Sequence, residues 1–247
     1  MIHRFETIDS TNNYAKQLAT QGAPGNTFVI ANQQTGGRGR MGRSFHSPEG
    51  KGLYLSMILR PQEEASELMH LTCAAAVAAC DAVEATCGSR PGIKWTNDLV
   101  CNKQKLGGIL TELGFNGSKL DYAIIGIGIN CSHEQTDFPS ELQDIATSLS
   151  LAYGNPITPQ DLEPHLISAL TKLSECLSKG KSMLLDQYRK DCITLGKEIS
   201  ILQGENIRHG KAIDMDDEGG LIVELSDGKI ETIAFGEVSV RGMYHYL

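Results

Sequence analysis

The residues of this 247-residue chain best suited to chemistry begin with Gln34-Thr-Gly-Gly-Arg-Gly-Arg-Met-Gly-Arg-Ser-Phe45, which holds four glycines and three arginines in 12 positions. Glycine forfeits backbone entropy in a helix or strand and packs no side chain, so the stretch reads as a mobile loop. Its guanidinium groups, Arg38, Arg40 and Arg43, alternate with positions where the backbone can approach a ligand. That pattern suits an anion such as a phosphate or carboxylate. A solvated basic surface loop is the alternative. Two lysines lie further along, Lys94 in Ile93-Lys-Trp-Thr-Asn-Asp-Leu-Val100 and Lys105 in Lys105-Leu-Gly-Gly-Ile-Leu-Thr-Glu112. Lysine among Ile, Trp, Leu and Gly is not an ordinary edge lysine on polar alternation, and a half-buried ammonium needs an anion. The neighbouring carboxylates are Asp98 and Glu112, so the partner is either a structural ion pair or a ligand. Gly107 and Gly108 in one strand, with Gly126 and Gly128 in the next, leave bare surface for a ring or extended chain; bulges are the dull alternative.

Other chemistries are discounted. There is no GxxxxGK[ST] phosphate loop, Gly126-Ile-Gly-Ile-Asn130 lacks the third glycine of a dinucleotide site, and no Gly-Xaa-Ser-Xaa-Gly elbow occurs. The seven histidines show no ligand spacing, and the seven cysteines are odd in number and lack CxxC pairs, which fits reduced thiols in the cytoplasm. Cys73, Cys80 and Cys87 recur on one helix face and read as buried packing. A net charge of −8 argues against general nucleic-acid binding and makes the arginine loop a local positive patch. The N-terminal residues carry no signal-peptide pattern, and no apolar run of membrane length is expected.

The elements that must position these groups follow from periodicity. Residues 2–8 form a strand, and Asp9-Ser-Thr-Asn-Asn13 offers N-cap oxygens to a helix ending near Gln21. Capping alone would account for Ser10, Thr11 and Asn12. Strands at 27–32 and 52–60 flank the arginine loop, the second with Leu53, Leu55, Met57 and Leu59 on one face. Residues 65–87 form a long alanine-rich helix. Strands follow near 93–100, from 105 and at 121–130, then a polar loop over 132–146 and helices over 158–177 and 181–195. Short alternating strands fill the rest, separated by Gly, Asp and Asn turns. The expected fold class is therefore α+β with a small all-β barrel appended, divided at Gly196 into residues 1–195 and 196–247.

Taken in order, Ser10-Thr-Asn12, the Gln34–Arg43 loop, Lys94-Trp-Thr-Asn-Asp-Leu99, Lys105–Glu112 and Gly126-Ile-Gly-Ile-Asn130 resemble the biotin protein ligase family over essentially the whole chain. The resemblance implies a central mixed β-sheet flanked by helices, of class II synthetase-like type, with an SH3-like barrel. It also implies two steps: biotin and ATP give biotinyl-5′-AMP and pyrophosphate, then the lysine amine of a biotin carboxyl carrier domain displaces AMP. Carried over, Ser10, Thr11, Asn12 and Gln34 contact biotin, while Arg38-Gly39-Arg40 closes over its carboxylate and the phosphate. Lys105 binds both reacting oxygens, and Gly107 and Gly108 lie along the biotin chain. Asn97, Asp98 and Asn130 fall where the family handles the nucleotide and its Mg²⁺, without fixing a metal-ligand set; Phe45, Lys94 and the barrel residue Arg241 are assigned to ATP. Asp98 is the nearest group to accept a proton from the acceptor lysine.

These roles are physically coherent. A carboxylate attacking an α-phosphate brings two anions together, so fixed cations must spread over both, and a loop ordered over the adenylate excludes water. The loop carries Gly36 where the family often has alanine and Phe45 where tryptophan is frequent. The Ser-Thr-Asn motif begins within ten residues of Met1, so the form expected is the ligase without a DNA-binding segment. Lipoate attachment on the same fold and a non-enzymatic biotin sensor are the competing functions. An exposed sheet edge offers a pairing surface to the acceptor domain or to a second copy of the chain, a homodimer.

Overall fold

A computed structural model describes residues 1–177 and 180–234, and the backbone of 238–242. The chain opens with β1 (Ile2–Ile8), α1 (Thr11–Thr20), β2 (Thr27–Gln34) and β3 (Gly52–Leu59), then α2 (Leu71–Cys87). A short hairpin, β4 (Gly92–Lys94) and β5 (Asp98–Cys101), leads to the long hairpin β6 (Gln104–Asn116) and β7 (Lys119–Asn130). Helices α3 (Leu149–Tyr153), α4 (Pro159–Cys176) and α5 (Lys181–Asp191) follow. Thr158 and Asp161 form the reciprocal cap expected at the start of α4.

Seven strands make one sheet in the order β1-β2-β3-β7-β6-β5-β4. β1 and β2 run parallel and the other neighbours antiparallel. Directly opposed residues share a face, so register sorts the sheet into rows. Ser56, Gly126 and Leu110 form one row, Tyr54, Gly128 and Gly108 the next, and Ile58, Ile124 and Glu112 a third. The residues between them, Leu55, Met57, Ile125, Ile127 and Ile129, join the main core with α2, α4 and α5. On the opposite face, Ala15 and Ala19 of α1 pack on Val29, Ile58 and Ile124. The alternation expected in the third strand is thus hidden: every residue of β3 is buried because helices cover both sides.

Two expectations need correction. Ala65–Cys87 is long and apolar enough by composition to cross a membrane, contrary to the sequence reading; most of it is buried in the protein, as befits a core helix. The helix expected over 181–195 stops at Asp191, because Cys192 bridges to Ile93 and the Ile193 amide donates to the Ile93 carbonyl. Edge pairing with β4 outcompetes continuation of the helix.

The expected fold class is the one observed. Past α5, β8 (Glu198–Gln203), β9 (Asn206–Met215), β10 (Leu221–Leu225), β11 (Ile230–Ile233) and β12 (Val238–Gly242) make an antiparallel sheet ordered β11-β10-β9-β8-β12. Its apolar residues Ile199, Ile201, Ala212, Leu221 and Val223 are continuous with the main core. Ala79 of α2 is fully buried within that core, so Ala79→Leu should overpack it and cost about 1–3 kcal/mol. Urea unfolding checks this, and an unchanged midpoint would contradict the packing described.

Candidate active site

A cleft of about 590 Å³ opens on the α1 side of the sheet, where rows of glycine replace bulky residues. Those glycines are occupied first by the protein itself. A Cβ on Gly126 would lie 2.0 Å from Asn12 Oδ1, and one on Gly128 would lie 2.6 Å from the Phe45 ring. Both are too close for a side chain, so these strand glycines seat an amide and an aromatic wall. Gly107 is not part of the cleft wall. A Cβ there would meet the Gly128 carbonyl at 2.4 Å, which fits close strand approach. Gly108 does reach the cleft.

At one end, α1 presents its first turn. Ser10 is the N-cap, yet its side chain makes no capping bond, so capping does not account for it. The Thr11 amide donates to Gln34 Oε1 at 2.9 Å, and Gln34 Nε2 donates to Ser47 Oγ at 3.0 Å. Asn12 is buried and bonded to Glu112, Leu110 and Ser56. Between β2 and β3 the arginine stretch folds back as a small hairpin, with Arg38 bridged to Ser44 and the Gly39 amide donating to the Arg43 carbonyl. Arg38, half exposed, donates to Asn13 Oδ1 at 3.0 Å. Gly39 lies beside it on the cleft wall.

At the other end, residues 95–97 join β4 to β5 and gather the cations. Arg40 Nη1 donates to Thr96 Oγ1 at 2.8 Å and to Asn97 Oδ1 at 3.1 Å, while Lys105 Nζ pairs with Asp98 Oδ1 at 2.7 Å. Burial pushes the Arg40 guanidinium pKa down, opposed by the Asp98 carboxylate; arginine starts so high that it keeps its charge. Lys94 is buried on the same wall, and the Asn130 amide donates to the Thr147 carbonyl. The cleft therefore brings together the expected residues apart from Gly107 and Arg241. Arg241 lies on β12 opposite Ser200, and its side chain is outside the described residues.

Sequence reasoning missed two groups. Ser56, fully buried, contacts both Thr11 and Asn12; its signal was a lone hydroxyl inside an apolar strand. The polar loop also supplies an apolar wall, Phe138, Leu142, Ile145 and Ala146. It is tied to Lys105 by backbone bonds, since the Lys105 amide donates to the Ile145 carbonyl and the Thr147 amide to the Lys105 carbonyl. The spacing of 138, 142 and 145 was the available clue.

Fold and cleft together define a sheet-lined pocket whose ordered cations, Arg40 and Lys105, suit an anionic ligand. Residues 4–130 match the biotin/lipoate A/B protein ligase family, and residues 194–241 match the biotin protein ligase C-terminal domain. The chain is 38% identical over 224 residues to the bifunctional ligase/repressor BirA of Bacillus spizizenii, covering 90% of this chain and 69% of that protein. It is 31% identical to the biotin--[acetyl-CoA-carboxylase] ligase of Paracoccus denitrificans, over 95% of this chain and 98% of that one. The biotin protein ligase of Aquifex aeolicus in complex with biotin and ATP superposes with a TM-score of 0.83 at 28% identity, over 98% of each chain. The chain belongs to the biotin/lipoate A/B protein ligase family.

Two predictions arise. Gly126→Ala should displace Asn12 and weaken biotin binding by about tenfold or more, measured by calorimetry; unchanged affinity would contradict the seating of Asn12 on Gly126. Behind the apolar wall, His133 stacks on Phe138 at 4.8 Å, buried and with no well-formed hydrogen bond to either ring nitrogen among the described residues. Burial, then repulsion from His46, pushes its pKa from 6.5 to about 4, with Lys51 adding to the depression and Asp137 opposing it. The unfolded chain takes this proton first, so the contribution of neutral His133 is complete above pH 6.5 and is lost as pH falls toward 4. Replacing His133 with Phe should lessen the drop in urea midpoint between pH 7 and 5; an identical drop would contradict the assignment.

Proposed function

We propose that the cleft holds biotin with its ring at Ser10, Thr11 and Gln34 and its carboxylate toward Lys105, and that the nucleotide lies between Arg40 and the Phe138–Ile145 wall. The overall reaction is that of an ATP-dependent biotin--[acetyl-CoA-carboxylase] ligase. A biotin carboxylate oxygen attacks the α-phosphorus and pyrophosphate departs; an amine of the acceptor then attacks the acyl carbon and AMP departs. The observation that carries the residue assignment is that two consecutive side chains, Asn97 and Asp98, hold Arg40 and Lys105. One turn thus fixes two cations side by side, where two anions must meet.

In this reading Lys105 bridges the carboxylate and the α-phosphate, and Arg40 screens the phosphate from the lid side. Asp98 serves first as the anchor of Lys105, and proton acceptance from the incoming amine is its second role. The purine packs on the apolar wall and Phe45, with Lys94 directed to the phosphates. Among the described residues no group of three or more His, Cys, Asp or Glu side chains is placed to hold a metal. Asp98 and Asn130 fit instead the sparse protein share of a Mg²⁺ ion carried mainly by phosphate oxygens and water. That ion supplies charge neutralisation at the phosphates. The acceptor is the carrier domain of a biotin-dependent carboxylase.

Lys105→Ala should lower biotin-dependent pyrophosphate exchange by about 100- to 1,000-fold while weakening biotin binding much less. Equal loss of both would contradict the bridging role. Arg40→Ala should release biotinyl-5′-AMP at least about tenfold faster in stopped-flow measurements, and an unchanged dissociation rate would remove its retaining function.

A further inference from the structure

The apolar wall at Phe138 belongs to a loop whose first half is fastened at one residue. The Asp137 amide donates to the Glu134 carbonyl, the Phe138 amide to the Gln135 carbonyl and Gln143 Nε2 to the Phe138 carbonyl, so residues 134–143 hold their own shape. Among the described residues, the hydrogen bonds that reach 134–143 from outside the loop converge on Asp137. Its carbonyl lies 3.0 Å from His46 Nε2, and its carboxylate pairs with Lys51 Nζ at 2.8 Å. A carbonyl can only accept, so His46 Nε2 is the donor. The far end of the loop is tied separately, at Ile145 and Thr147, by the backbone of Lys105.

Both donors stand on fixed backbone that the reaction chemistry does not use. The Phe45 amide donates to the Gly37 carbonyl at 2.9 Å and the Gln34 amide to the Ser47 carbonyl at 3.1 Å, which holds His46 between two backbone bonds. The Lys51 carbonyl accepts the Cys131 amide at 3.0 Å and the Ser132 amide at 2.9 Å. Phe138, next to Asp137, stacks on His133 with the ring planes 7° apart. Stacked rings tolerate a range of offsets, whereas hydrogen bonds fix a direction. The fastening at Asp137 therefore sets where the Phe138 ring lies along its partner.

We propose that His46 and Lys51 are positioning residues for the nucleotide: together, through Asp137, they hold Phe138 where the purine of ATP packs. The inference rests on the reading that the purine lies against the Phe138–Ile145 wall. Neither bond is strong alone, since the Lys51–Asp137 pair is partly exposed and the His46 bond is a single N–H to a carbonyl. Loss of one leaves the other to hold the turn; loss of both frees the first half of the wall. Biotin, bound toward α1, is spared.

The test is biotin-dependent pyrophosphate exchange as a function of ATP concentration, with biotin affinity measured by calorimetry and folding checked by thermal melting. His46→Phe should raise the KM for ATP by about 3- to 10-fold, Lys51→Met by about 2- to 4-fold, and the two together by about 5- to 30-fold. In the double variant kcat and biotin affinity should stay within about twofold of native, the signature of lost nucleotide binding alone. His46→Gln with Lys51→Arg restores both donors and should return the KM to within about threefold of native. Should the double variant fail to fold, Lys51→Met, which alters only a partly exposed pair, carries the test with its own rise in KM. Phe138→Ala separates the two layers. If it raises the KM for ATP while the folded His46/Lys51 variants leave it unchanged, or weaken biotin equally, the positioning role is overturned; if Phe138→Ala itself leaves the KM unchanged, the purine lies elsewhere and the underlying reading fails with it.

Discussion

The proposed reaction needs two anions held within bonding distance, and in that proposal a single turn meets the electrostatic demand. Residues 95–97 join the short edge strand β4 to its neighbour β5, and the side chains at 96–98 receive Arg40 from the glycine–arginine hairpin and Lys105 from β6. Cations that are already ordered, and partly withdrawn from water, need no reorganisation as charge shifts between carboxylate, phosphate and leaving group. Among the contacts of the described residues are a hydroxyl and an amide oxygen for Arg40 and a carboxylate for Lys105.

The turn is in turn fixed from beneath. Tyr188 of α5, wholly buried, donates its hydroxyl to the Thr96 carbonyl at 2.9 Å, and the Trp95 amide donates to Thr194 Oγ1 at 2.9 Å. The Trp95 indole donates to the Gly219 carbonyl in the turn between β9 and β10. Burial drives the Tyr188 phenol well above its ordinary pKa, so it stays a neutral donor. The C-terminal sheet thus reaches the 95–97 turn through the Gly219 carbonyl and the Trp95 indole, and its core merges with that of the larger sheet. Register does the rest: a row that reads Ser56, Gly126 and Leu110 makes a hollow where the flanking row of Ile58 and Ile124 makes a packed layer.

Much of this was legible in the sequence because it is local. The cap of α4, the glycine–arginine loop, the alternating β7 and the short C-terminal strands declare themselves through neighbours in the chain. What stayed hidden depends on pairings distant in sequence. Gly107 and Gly108 look equivalent in sequence, but only register shows that one meets the Gly128 carbonyl and the other the cleft. The end of α5 at Asp191 depends on the edge of β4, about a hundred residues away. The apolar wall at Phe138–Ala146 sits in a segment whose overall polarity concealed it, and Ser56 gained meaning only when Asn12 and Thr11 arrived beside it.

The most direct measurement is a crystal structure of this protein soaked with biotinyl-5′-AMP. The account predicts the phosphate within hydrogen-bonding reach of Lys105 Nζ and the Arg40 guanidinium, with the ureido ring at Thr11 and Gln34. A mixed anhydride bound away from the 95–98 turn, with Lys105 still paired only to Asp98, would contradict it.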